Sequence, residues 1–354
     1  MPTMPFDATH IRRGLTIAAL VWAWILPADA NALRVPTGAR TTDWYEHPEI
    51  PRQPIGVDVH GLPVHIPLVG AGTWQYNDTV AFQSLCKAFG EGITLVDTAL
   101  GYGNQKGVGR AIRDCYVGRR SDLFVLTKIP GGLSYEETLG AHHQNMFELN
   151  LGYVDHLMVH FPSDWQQTKT GRAQRQTQWR AMEEIYYSGK ARFIGVSHYC
   201  SQHLQDVLEI ATVRPSLNQI EYHVGSGDVD AVLETCRTEN ITCMSFSPLC
   251  GPCQYEPSDS LISGDLVTEI AARYQHGSNE TRPVTGAQVA LRFIVQQALE
   301  ERPLYIGPVV PKSNNADHIR SNRDIFDFVL SDVDMERLRN ATKPEAEGGD
   351  CDVL

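Results

Sequence analysis

Residues 93–99 read ITLVDTA, and residues 107–116 read GVGRAIRDCY. The first is a short apolar, β-branched run of the kind a strand buried on both faces requires, and the second has a helical pattern. This strand-then-helix unit recurs along the chain. The first strand ends at Gly72 in HIPLVGAG. Further runs are DLFVLTK (122–128), VDHLMVH (154–160), ARFIGVS (191–197), LNQIEYH (217–223), ITCMSFS (241–247) and IGPVVPK (306–312). Helical segments fill the gaps: TVAFQSLCKAFGEG (79–92), SYEETLGAHHQNMFELNLGY (134–153), QTQWRAMEEIYYSGK (176–190), SQHLQDVLEIA (201–211) and DVDAVLETCRTEN (228–240). DLVTEIAARY (265–274) with TGAQVALRFIVQQALEE (285–301), then NADHIRSNRDIFDF (315–328), complete the series. Ser134 followed by Glu137 has the form of a capping box. Eight such units predict an α/β fold, a (β/α)₈ TIM barrel. GVDVHGLPVHIP (56–67) reads as an N-terminal hairpin that plugs the barrel, turning at His60-Gly61, and residues 331–340 as an extra C-terminal helix.

The flanks carry other signals. Arg12 and Arg13 precede the apolar GLTIAALVWAWILP and then ADANA, the layout of a signal peptide or targeting leader. The apolar run is shorter than the ~20 residues of a membrane helix, so no stable membrane span is expected after leader removal. The expected organisation is a leader over 1–32, a linker over 33–54, the barrel over 55–341 and a disordered tail over 342–354. The leader points to the secretory pathway or an organelle lumen, or to the cytoplasm if it is not used. Sequons at Asn77, Asn240, Asn279 and Asn340 predict a glycoprotein on that route. The eight cysteines suit an oxidising compartment. With 30 Lys+Arg against 42 Asp+Glu, the chain lacks the basic surface that nucleic acid requires, and the expected partner is a small molecule bound by a monomer.

The barrel rim at the C-terminal strand ends is where such folds place their sites. Here strand two ends in Asp97, with Tyr102 just beyond, strand three in Lys128 and strand four in His160. Each alone has an ordinary structural reading. Together on consecutive strands they would be costly to bury without a use. A lysine ammonium beside a tyrosine stabilises the phenolate and lowers its pKa, and Asp97 would orient Lys128. His160 would hydrogen-bond a carbonyl under attack. The set is general-acid apparatus for carbonyl reduction, with the hydride supplied from elsewhere. No metal ligands are expected.

From about Gly61 to Leu338 the chain resembles the aldo-keto reductases, through GAGTWQ, LVDTALGYGNQKGVGRAI, LTKIP, VDHLMVHFP, GKARFIGVSHY, LNQIEYH, MSFSPL and VVPKSN. The resemblance implies a catalytic tetrad of Asp97, Tyr102, Lys128 and His160, with NADPH lying across the rim. Ser197, His198 and Gln219 would hold the nicotinamide amide, and Phe246 would stack on its ring. Thr73, Ser247 and Leu249 would line the cofactor, Lys312 and Ser313 would meet the 2′-phosphate, and Asn322 the adenine. Trp74 and Phe161 would wall the substrate pocket. Two positions depart from the family pattern. His198 stands where Asn is usual, and His318 where an Arg grips the 2′-phosphate, with Arg320 near enough to compensate. NADH use therefore stays open beside NADPH.

Two other readings also stay open. One is a cofactor-binding regulatory protein on the same fold with little turnover. The other is a thiol-disulfide enzyme using Cys250-Gly251-Pro252-Cys253, a motif like that of thioredoxins but placed after the seventh barrel strand. A regulatory disulfide between Cys250 and Cys253 is a further expectation.

Overall fold

The computed structural model describes residues 49–164, 166, 171–250, 261–277, 282–300 and 306–342. The expected leader, most of the expected linker, Cys253, Asn279 and nearly all of the expected tail lie outside them. A hairpin of β1 (Arg52–Val57) and β2 (Pro63–Pro67) opens the described chain. Eight parallel strands follow: β3 (Ala71–Gly72), β4 (Leu95–Asp97), β5 (Phe124–Ile129), β6 (Val154–Val159), β7 (Ala191–Ser197), β8 (Leu217–Glu221), β9 (Thr242–Phe246) and β10 (Ile306–Val309). They pair in sequence order from β3 to β10. A parallel bridge between Val69 and Val309 joins the two ends, with Gly70 N donating to Val309 O at 2.9 Å. This is the (β/α)₈ barrel that the alternation predicts.

Gly72 sits at this seam because a Cβ there would lie 2.9 Å from the Val310 carbonyl. The first barrel strand is shorter than the sequence suggests. His65–Pro67 of HIPLVGAG belong to β2, since the hairpin uses them before the chain enters the barrel.

The hairpin does plug the barrel. Asp58 accepts the amides of His60 and Leu62, fixing a turn over His60-Gly61. Val64 and Ile66 then point into a cluster with Leu95, Phe124, Leu126, Met158, Phe193, Leu217, Met244 and Val310. That cluster is the barrel interior. A second, larger cluster lies between strands and helices, where Val96, Val125, Leu157 and Ile194 meet Leu85, Val108, Trp179 and Phe293.

The helices are α1 (Asp78–Gly90), α2 (Gln105–Asp114), α3 (Tyr135–Leu149), α4 (Arg172–Tyr187), α5 (Ser201–Leu208), α6 (Val232–Thr238), α7 (Asp265–Ala271), α8 (Gly286–Leu299), α9 (Ala316–Arg323) and α10 (Asp332–Arg339). Ser134 and Glu137 form the expected capping box, and Thr285 with Gln288 forms another. The extra C-terminal helix is α10. The helix expected over 315–328 stops at Arg323, because Asp324 leaves helical geometry and Ile325 and Phe328 turn into the core. No helix among the described residues is long and apolar enough to cross a membrane.

A disulfide joins Cys86 on α1 to Cys115 at the end of α2, across 29 residues of chain. Cys200 and Cys250 are also disulfide-bonded, and Cys236 and Cys243 are free and buried.

Candidate active site

Strand periodicity builds the site. Side chains alternate between the two faces, so a residue two positions beyond an interior one also faces the interior. Leu95, Leu126, Met158, Leu217, Met244 and Val310 are interior. Two residues on from each stand Asp97, Lys128, His160, Gln219, Phe246 and Lys312. The apolar core thus gives way to a polar layer at the C-terminal rim without any change of register.

Lys128 is at the centre of that layer and is fully buried. Its Nζ lies 2.8 Å from both Asp97 carboxylate oxygens, 3.2 Å from Thr98 O and 3.2 Å from the Tyr102 hydroxyl. Tyr102 arrives on a single 3₁₀ turn, Leu100–Tyr102, closed by left-handed Gly103. The Tyr102 and His160 rings meet edge to face, with centroids 5.5 Å apart. His160 is carried past β6 into a loop that crosses close to Gly131, where a Cβ would lie 2.1 Å from Phe161 O. Asp97, Tyr102, Lys128 and His160 therefore converge, although 63 residues separate the first from the last.

Burial pushes the Tyr102 phenol above its ordinary pKa, the Lys128 ammonium pulls it back, and the net shift is upward. The expectation of a lowered phenol thus has the right sign for the lysine contribution, but desolvation outweighs it. The outcome keeps the hydroxyl protonated. Burial also opposes the Lys128 ammonium, yet Asp97 and then Tyr102 hold it above the usual lysine range. Burial first, then Lys128 and His198, hold His160 well below the normal histidine value, so its ring is neutral.

The neighbouring residues fall into two groups. Around the centre, Gln219 Nε2 donates to Asp97 Oδ2 at 2.8 Å. Thr73 Oγ1 donates to Asp97 O at 2.9 Å, and Ser197 Oγ donates to Gln219 O at 3.0 Å. His198 has a left-handed backbone, and its Nδ1 lies 3.0 Å from His160 O. Its ring stands between Phe161 and Phe246, with centroids 4.4 and 4.7 Å away. Burial lowers its pKa to about 4. Ser247 also has a left-handed backbone, and Leu249 packs on the outer core.

Further out, Lys312 Nζ donates to Gln75 Oε1 at 2.7 Å and stands 5.9 Å from the exposed Trp74 ring and 5.3 Å from that of Tyr76. Ser313 Oγ accepts the Asn315 amide, His318 is exposed on α9, and Asn322 is buried there. Arg320 does not stand free beside His318, because Glu91 holds it at 2.9 Å.

Gln75, Tyr76 and Asn104 were not singled out by sequence. Asn104 Nδ2 donates to the carbonyls of Thr73 and Tyr76, tying the Trp74 loop to the turn that carries Tyr102. The only sequence signal was its place in the GYGNQ stretch.

The aldo/keto reductase family model matches residues 68–343. Glyoxal reductase of Bacillus subtilis is 31% identical over 293 residues, 82% of this chain and 94% of the relative. Morphine 6-dehydrogenase of Pseudomonas putida is 31% identical over 283 residues, 78% of this chain and 87% of the relative. The crystal structure of an aldo-keto reductase enzyme from a deep-sea metagenome library aligns with a TM-score of 0.69 at 30% identity, over 81% of this chain and 96% of that one. The aldose reductase of Schistosoma japonicum aligns with a TM-score of 0.67 at 25% identity, over 82% and 92% of the two chains. Members of this family reduce small carbonyl compounds with nicotinamide cofactors. The protein belongs to the aldo/keto reductase family.

Proposed function

We propose that the protein reduces an aldehyde or ketone to an alcohol with NADPH, and that Tyr102 supplies the proton. The observation that carries this reading is the Asp97–Lys128–Tyr102 chain, with Lys128 buried and shared between carboxylate and phenol. When bound, the nicotinamide supplies the hydride. Tyr102 holds the proton at its hydroxyl, and Lys128 stabilises the phenolate left when that proton moves to the carbonyl oxygen. Neutral His160 orients the carbonyl beside Tyr102. Trp74 and Phe161 give the substrate apolar walls.

The residues present fit a dinucleotide. Lys312 has no carboxylate partner among the described residues and is exposed where the 2′-phosphate is expected. Its amine is shifted below the usual lysine value by burial. Arg320 is occupied by Glu91, so phosphate recognition rests on Lys312 and Ser313, and NADH remains a competing cofactor. The test is oxidation of each cofactor with 4-nitrobenzaldehyde, followed by loss of nicotinamide absorbance. No turnover with either would overturn the proposal.

The second reading, cofactor binding with little turnover, is favoured by His198. Its ring occupies space between Phe161 and Phe246, the aromatic that would stack on nicotinamide. Tight cofactor binding without aldehyde reduction would establish it.

A secretory or organellar location is proposed on two grounds: the leader-like N-terminus, and the disulfide-bonded Cys86, Cys115, Cys200 and Cys250. Asn77, Asn240 and Asn340 are exposed, as glycan acceptors must be. N-terminal sequencing and a glycosidase mobility shift on native protein test this, and an intact Met1 with no shift would refute it.

A further inference from the structure

At the rim beyond the proposed cofactor site, the geometry points to a redox-gated divalent metal site, of the zinc class, formed by Glu221, His223 and Cys250. Their ligand atoms all lie within 4.8 Å of one another. Glu221 ends β8, His223 follows it, and Cys250 lies just past β9, the neighbouring strand. Carboxylate, imidazole and thiolate are the three ligand types that zinc accepts.

His223 supplies the second, independent observation. Its side chain is fully buried. Nδ1 lies 2.9 Å from Val224 O, and a carbonyl can only accept, so Nδ1 carries the proton and donates. On the other side of the ring, Nε2 makes no hydrogen bond. Glu221 Oε1 stands 3.5 Å from that nitrogen. A zinc ion about 2.0–2.1 Å from each would subtend an angle of about 115–120°, close to tetrahedral. The bond from Nδ1 to a backbone carbonyl is also what orients metal-bound histidines. By contrast, in the other mixed cluster, His276 with Asp324 and Asp327, both ring nitrogens are partnered and Arg282 already neutralises Asp324.

Cys250 is the gate. In the disulfide its sulfur is neutral and a poor ligand. Reduction by a dithiol delivers two electrons and two protons, breaks the sulfur–sulfur bond, leaves two protein thiols and converts the dithiol into its own disulfide. The Cys250 thiol then loses its proton to solvent as sulfur binds the metal. A zinc–sulfur bond of about 2.3 Å requires the sulfur to approach the other ligands by at most about 1 Å. The Cys250 backbone is left-handed at φ 52°, in a loop rather than a strand. Disulfide and metal are thus alternative bonding states of Cys250, with water in the fourth metal position.

The test uses Co²⁺ as a spectroscopic stand-in for zinc, on the full chain, with and without anaerobic reduction by a trialkylphosphine. The phosphine takes its oxygen from water and leaves no competing thiol. The reduced protein is expected to bind one Co²⁺ with a thiolate-to-metal charge-transfer band, and the unreduced protein to show no such band. Cys250→Ser should lose the band. His223→Gln and Glu221→Gln should weaken Co²⁺ at least tenfold. If His223→Gln misfolds by circular dichroism, the more peripheral Glu221→Gln still decides. Equal Co²⁺ binding before and after reduction would overturn the proposal. So would a band retained in Cys250→Ser, since the thiolate would then come from elsewhere, or unchanged affinity in Glu221→Gln.

Discussion

Lys128 places its ammonium 2.8 Å from both oxygens of Asp97, and the two side chains are 0% and 6% exposed. Such a pair is costly to assemble and more costly to break. Asp97→Asn leaves a buried ammonium with only neutral acceptors. We expect a loss of about 3–5 kcal/mol in urea unfolding. A loss under about 1 kcal/mol would show that water reaches Lys128.

Removing only the hydroxyl isolates the proton. Tyr102→Phe is expected to lower kcat/KM by well over tenfold, more than about 1.4 kcal/mol, while the Kd for NADPH stays within about twofold. A variant keeping a tenth of wild-type kcat/KM would exclude Tyr102 as the donor.

Buried histidines make stability depend on acid. Burial lowers His142 to about 4 and His156 to about 3. Unfolded, both titrate near 6.5, so below that pH the unfolded chain binds more protons than the folded one. Stability therefore rises with pH in this window and is lost as pH falls from about 6.5 towards 4. Each of the two adds up to about 1.4 kcal/mol per pH unit to the slope. Urea midpoints between pH 7 and 4.5 measure it. His156→Gln should flatten the slope, and an unchanged slope would show that His156 is not buried neutral.

The bridge between Cys86 and Cys115 closes 29 residues of chain. Loop-closure entropy for that length is about 3–4 kcal/mol. Cys86→Ser should lower stability by that order in non-reducing urea titrations. Equal stability of wild type and variant would mean that the bond is not formed in the native protein.

His318→Arg should tighten NADPH more than NADH, because a guanidinium matches a phosphate in two places and imidazole in one. Fluorescence titration of both cofactors reads the difference. Equal changes would mean that position 318 does not face the 2′-phosphate. The exposed α9 position leaves room for the longer side chain.

The barrel was legible in the sequence because its signals are local. A buried parallel strand writes itself as a short apolar run, and the following helix as a 3.6-residue pattern. The convergence of Asp97, Lys128 and His160 followed from that alternation, since residues at successive strand ends must share a rim. Relations between groups distant in sequence were decided only by tertiary structure. The Cys86–Cys115 pairing depends on α1 and α2 packing side by side, and eight cysteines alone do not select it. The direction of the Tyr102 shift depends on how much water burial removes, set by walls drawn from several strands. Arg320 was lost to Glu91, 229 residues away, for the same reason. The meeting of Glu221, His223 and Cys250 likewise needs β8 beside β9, because spacing along a chain constrains only near neighbours, whereas charge, desolvation and coordination act through space.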